Sequence, residues 1–376
     1  MTVNGHNDAR FDALRDTFAA TIDSGEELGA ALAIDVDGET VVDLWGGHRD
    51  AARTLPWESD TIVNVWSTTK EITALAILLC VDRGLVDLDA PVARYWPEFA
   101  ANGKQDITVA QLMSHTSGVS GWDQPFAVED MYDWDLSTSR LAAQAPWWEP
   151  GTASGYHAQN QGHLLGEVIR RVTGKHLKAF VAEEISGPLG TDLQIGAGPD
   201  DDARIAEIIP PPPLPIDFES LDPASPMMKT FTGPAATAEA ANTVAWRRAD
   251  MGALNGHTNA RGLVGTLSLI SRGSVGPLTL SSATIDRIFD EQYRGVDLVL
   301  AVPLRWGIGF GLPEPQTLPY IPDERICFWG GWGGSLTVMI PEKKTTISYV
   351  MNKMAPGIIG SDRAAAYLSA AFEALG

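Results

Sequence analysis

Two stretches rich in strand pattern, one near the start and one in the last third, are separated by a region from about residue 85 to 255 that carries almost none. Phe11, Leu14, Phe18 and Ile22 recur at helical spacing and predict an amphipathic opening helix. Residues 29–36 and 39–45 are β-rich and joined by Asp37-Gly38, a strong hairpin signal. A second helix is expected from about Ser67 to Arg83, with Ile72, Leu75, Ala76 and Leu79 in one stripe and Gly84 as its stop. Helices and long loops follow, with candidates at 109–114, 137–144, 158–173 and 177–185. Pro210 to Pro213 and Pro215 fit neither a helix nor a central strand. Residues 209–226 therefore read as a semi-rigid surface loop, a connector more than a cleft wall. Strand character returns at 298–302, 306–311, 325–329, 335–340 and 345–351, before a last helix over 363–375.

This order predicts an α+β fold. The two ends share one antiparallel sheet flanked by helices, and an all-helical domain is inserted between them. At 376 residues the chain exceeds one ordinary core, so two domains are expected. Residues 1–78 with 255–376 form the α/β sandwich, residues 79–254 form the helical domain, and a site is expected between them.

The formal charge of −21 and a pI near 4.6 disfavour nucleic acid and anionic membranes as partners. A neutral small molecule suits this surface better, although such a charge also simply keeps a protein in solution. No run of 18 apolar residues is present, and Met1 to Arg10 has no signal-peptide pattern. Cys80 and Cys327 read as small buried hydrophobes rather than a disulfide. A cytoplasmic setting is expected. The oligomeric state is left open.

Three segments carry potential chemistry. In Ser67-Thr68-Thr69-Lys70, a helical turn puts the amine on the same face as the hydroxyl, where it can hold the hydroxyl and favour its deprotonation. The same pattern also describes an N-cap followed by a solvated lysine. Tyr156 follows the turn-rich Pro150 to Gly155 and can project a phenol into a cleft. A phenol serves as a base only if a cation such as Lys70 lowers its pKa. Trp329-Gly330-Gly331-Trp332-Gly333-Gly334-Ser335 lies at a predicted strand, and its glycine-rich backbone permits close approach of a carbonyl. Acyl transfer needs two N–H donors at the developing oxyanion, for which the backbone N–H groups of Ser67 and Trp332 are the candidates. A β-bulge flanked by core aromatics is the bland alternative.

Other scaffolds are absent from the sequence. It has no Gly-x-Ser-x-Gly elbow, no His-Glu-x-x-His, no phosphate-binding Gly-x-x-x-x-Gly-Lys-Ser/Thr and no paired-cysteine zinc pattern. No cofactor or metal is expected. His115, His157, His163 and His257 read as structural.

Taken together and in order, these segments resemble the class C-like branch of the serine β-lactamase superfamily, which includes the family VIII carboxylesterases. The matching segments are Trp66 to Lys70, Gly84 to Val92, Ile107 to Val109, Leu112-Met113-Ser114-His115-Thr116-Ser117-Gly118, Pro150-Gly151-Thr152, Tyr156-His157-Ala158 and Trp329 to Ser335, spread over roughly residues 10 to 355. The resemblance implies acylation of Ser67, proton handling by Lys70 and Tyr156, and Trp329, Gly330, Gly331 and Trp332 on the strand side of the site. It leaves open which of Lys70 and Tyr156 is the base, and it gives the His115 segment no chemistry.

Two departures bear on the substrate. Ala158 stands where β-lactamases of this branch have Asn, and Trp329 where they have Lys or His. Both lost groups bind polar parts of a β-lactam, and Trp is a feature of the esterase branch. The expected activity is therefore hydrolysis of small carboxylic esters through an acyl-Ser67 intermediate. The alternatives are a β-lactamase or D-Ala-D-Ala peptidase, an acyltransferase, and a non-catalytic relative that binds a ligand.

Overall fold

A computed structural model describes residues 3–213 and 221–376. Nine strands form one antiparallel sheet in the order Val3–Asn7, Glu39–Gly47, Gly29–Val36, Thr345–Met351, Leu336–Ile340, Cys327–Gly330, Gly311–Leu312, Pro303–Trp306 and Tyr293–Val296. The two ends of the chain meet where Gly29–Val36 pairs with Thr345–Met351. The architecture is α+β, as the element order predicts. The hairpin turn has Asp37 at φ 51° and Gly38 at φ 95°, both in the left-handed region that a two-residue hairpin demands.

Helices Asp12–Ser24 and Asp362–Leu375 pack together, and Ala260–Arg272 covers Gly29–Val36, Thr345–Met351 and Leu336–Ile340. Helix Thr69–Asp82 is buried all round from Thr69 to Cys80. An apolar helix with no wet face belongs inside a protein. It sits between strand Cys327–Gly330 and helix Gln161–Thr173 of the helical region, and runs unbroken through residues 78 and 79.

Several expectations need correction. Residues 298–302 form a turn, not a strand, because the Asp297 carboxylate accepts from the Val299 and Leu300 N–H groups and takes them out of any ladder. The strand expected over 306–311 is split by a loop at Gly307 to Phe310 into Pro303–Trp306 and Gly311–Leu312. The helix expected from residue 158 starts at Gln161, and the Ala158 carbonyl instead accepts from Lys70 Nζ. The polar start of the chain contains a strand, Val3–Asn7, paired with Glu39–Gly47. Within the proline-rich stretch, Pro215 and the rest of 214–220 lie outside the described residues.

Candidate active site

Ser67 stands just before helix Thr69–Asp82, after Trp66 at φ 49°. A bulky residue in the left-handed region is strained and is held by its surroundings. Here Trp66 packs edge-on against Trp246 and Trp332, and its backbone bridges to Asn255. Ser335 secures the same segment by donating to the Val65 carbonyl at 2.9 Å.

Lys70 Nζ lies 3.0 Å from Ser67 Oγ and donates to the carbonyls of Ala158 at 2.7 Å and Ala253 at 2.9 Å. The amine is buried, and burial depresses its pKa well below that of an ordinary lysine. A neutral amine has two N–H bonds for the two carbonyls and one lone pair, which then faces the serine hydroxyl.

The Tyr156 hydroxyl accepts from the Trp329 indole N–H at 2.8 Å, and Tyr156 shares a cavity lining with Ser67. Lys70 Nζ sits over the phenol ring, 4.8 Å from its centroid. Burial pushes the phenol above the ordinary tyrosine range, so the resting group is a proton donor and not the cation-stabilised phenolate considered from sequence. Behind it, Glu71 Oε1 accepts from the Trp329 backbone N–H at 2.8 Å, and burial pushes this carboxyl well above the usual range.

The segment Leu112 to Gly118, without assigned chemistry in the sequence, grips the loop that carries Tyr156. The carbonyls of His115, Thr116 and Gly118 accept from Gly155, Gly151 and Trp147. His115 Nδ1 accepts from the His157 backbone N–H at 3.1 Å, and its ring lies edge-on to Tyr156 at 4.9 Å. Ser117 Oγ bonds His157 Nε2 at 2.6 Å. His157 is driven down to about 3 by burial, which leaves it a neutral strut. On the other side, the fully buried Asp297 accepts from Ser154 Oγ and from the Tyr156 N–H. Sequence reasoning passed over Asp297; an Asp just ahead of a short apolar run is a turn signal of the Asx type.

Ser67, Tyr156 and Trp332 open on a cavity of about 270 Å³. Its apolar lining includes Met227, Phe231, Leu254, Val299, Leu300 and Ile358. Among the described residues the lining includes no charged side chain. Neither the Ser67 nor the Trp332 backbone N–H enters a backbone hydrogen bond among the described residues. Trp329, Gly330 and Gly331 do not line the cavity. Trp329 faces Tyr156, and Gly331 passes so close to the Val65 carbonyl that a Cβ there would lie 2.3 Å from its oxygen.

Residues 14–372 match the family described as Beta-lactamase. An esterase/beta-lactamase, LipL, of Mycobacterium tuberculosis (strain ATCC 25618 / H37Rv) is 33% identical over 375 residues, covering 96% of this chain and 86% of that protein. A crystal structure of a family VIII carboxylesterase superposes with a TM-score of 0.93 at 39% identity, over 100% of both chains. A penicillin-binding protein homolog from Caulobacter crescentus superposes at 0.92 with 36% identity, again over 100% of both.

Proposed function

This chain belongs to the beta-lactamase family, and on that premise we propose that it is a serine ester hydrolase in which Ser67 is acylated, Lys70 is the base and Tyr156 the acid. The observation that carries the reading is the convergence of the three groups: an amine 3.0 Å from the serine oxygen and 4.8 Å from the centre of the phenol ring, with the serine and the phenol lining one cavity.

Lys70 takes the Ser67 proton as Oγ attacks the ester carbonyl. The N–H groups of Ser67 and Trp332 hold the oxyanion. Tyr156 gives its proton to the departing alkoxide, and its oxygen keeps the Trp329 indole bond. Water then attacks the acyl-enzyme, passes a proton to the Tyr156 oxygen, and Lys70 returns its own to Ser67. No cofactor enters these steps.

The described lining, which carries no charged side chain, supports a small ester with an apolar acyl group over a β-lactam, whose carboxylate would find no cation among those residues. The relative named both esterase and beta-lactamase keeps lactam turnover as a second reading. The groups come from separate parts of the chain, in line with a site between a sheet domain, 1–78 with 255–376, and a helical domain, 79–254. No helix among the described residues is long and apolar enough to cross a membrane. The free, buried Cys80 and Cys327 suit a reducing compartment and support a cytoplasmic setting.

The test pairs nitrophenyl acetate and butyrate hydrolysis with fluorophosphonate labelling. Label on Ser67 and loss of turnover in Ser67→Ala are expected. Full turnover in that variant overturns the reading, and a clear preference for a chromogenic cephalosporin over both esters selects the lactamase alternative.

A further inference from the structure

We propose that Asp297 is a positioning residue that holds the Tyr156 phenol and the cavity wall at Val299 and Leu300 in one fixed relation, so that a single carboxylate governs both proton delivery and acyl-group selection. The inference rests on the roles given above to Ser67 and Tyr156.

Asp297 is fully buried. Its Oδ1 accepts from three backbone N–H groups, those of Tyr156 at 3.0 Å, Val299 at 2.9 Å and Leu300 at 3.0 Å. Its Oδ2 accepts from Ser154 Oγ at 2.8 Å. The Leu298 N–H donates to the Ser154 carbonyl at 2.8 Å, which ties the two loops together a second time. All these partners are neutral donors. An acid group inside a protein persists only where such donors replace water. Here one oxygen serves two loops at once: Tyr156 on the first carries the phenol, and Val299 and Leu300 on the second line the cavity in front of Ser67. A shift of either loop relative to the other breaks at least one bond to Oδ1.

Three substitutions separate the roles. Asp297→Ala strands all three N–H groups. Asp297→Ser keeps a short oxygen able to close the local turn onto Val299, yet too short to reach Tyr156 as well. Asp297→Asn keeps Oδ1, and its amide can donate to Ser154 Oγ, so it is the conservative rescue.

Each variant is assayed on nitrophenyl acetate and hexanoate, with fluorophosphonate labelling of Ser67 in parallel. For Asp297→Ala we expect kcat on acetate to fall about a hundredfold and the hexanoate-to-acetate ratio of kcat/KM to move about tenfold. For Asp297→Ser we expect the kcat loss with the parent acyl preference. Asp297→Asn should stand within about fivefold of the parent in both measures. A purely structural role lowers the active fraction equally on all esters and leaves KM and the ratio where they were.

Parent-like kcat and acyl ratio in Asp297→Ala overturn the proposal, as they do in Asp297→Ser should the alanine variant fail to fold. Loss in Asp297→Asn equal to that in Asp297→Ala also overturns it. If the parent enzyme is not labelled at Ser67, the serine-hydrolase reading itself fails; if it is labelled and the Asp297 variants behave as the parent, only the positioning role fails.

Discussion

The Trp329 indole N–H meets the Tyr156 hydroxyl oxygen at 2.8 Å. Strand Cys327–Gly330 thus reaches the proposed catalytic groups through the phenol. The bond orients the hydroxyl, and in the proposed mechanism it remains once the proton has left, where an N–H donor is worth most to an oxyanion.

Replacing Trp329 by Phe keeps a ring and removes the donor. We expect kcat to drop about tenfold, the worth of one hydrogen bond, with KM unchanged. Tyr156→Phe should cost about 10²–10⁴ in kcat, the range for losing a general acid. Steady-state kinetics on nitrophenyl butyrate measures both. A rise in KM without loss of kcat in Trp329→Phe would place the indole against the substrate instead.

The pH dependence follows from two shifts of opposite sign. Burial lowers Lys70, so the amine is neutral and active above its depressed pKa. As the pH falls through that value the lone pair is lost, and kcat/KM falls with it. The histidines beside Tyr156 do not set this limb, because burial holds His115 well below its ordinary value and His157 at about 3. Burial raises Tyr156, so the phenol keeps its proton through the ordinary tyrosine range. The profile of kcat/KM should therefore show an acid limb that disappears in Lys70→Ala, and no alkaline loss centred near pH 10. An alkaline loss there would contradict the assignment of Tyr156 as acid.

His115 has φ 62° and accepts from the His157 N–H. Asn tolerates the left-handed region and offers an oxygen near the position of Nδ1. His115→Ala should lower stability by about 1–3 kcal/mol, the cost of a buried donor left unpaired, and His115→Asn by less. Thermal or urea denaturation ranks the pair, and equal losses would mean the acceptor is unimportant.

Gly331 leaves no room for a side chain. A Cβ would meet the Val65 oxygen at 2.3 Å and Ser335 Oγ at 2.4 Å. Gly331→Ala should destabilise by about 1–3 kcal/mol and also reduce turnover, because the backbone it displaces leads directly to Ser67. Unchanged melting and activity would show that the strand and the Val65 segment yield without consequence.

What was legible in the sequence is what short-range geometry dictates. A three-residue spacing at a helix start puts Lys70 beside Ser67 whatever the rest of the chain does. Asp-Gly between two β-rich runs makes the hairpin at residue 37, and the apolar run after Lys70 makes a helix. The order of elements then implied a sheet closed by both ends of the chain. Where a side chain outbid the local pattern, the reading failed: residues 298–302 have strand composition, but the Asp297 carboxylate took their N–H groups.

Tertiary structure decided the rest. Tyr156, Asp297 and Trp329 lie far apart along the chain, and no periodicity records that their side chains converge. Which way Trp329 points, toward the cavity or toward the phenol, depends on how strand and loop pack. The proton state of Lys70 depends on burial within the fold, where its amine meets the carbonyls of Ala158 and Ala253 from distant parts of the chain. Chemistry at this site is set by desolvation and by contacts between distant segments, and these exist only once the chain has folded.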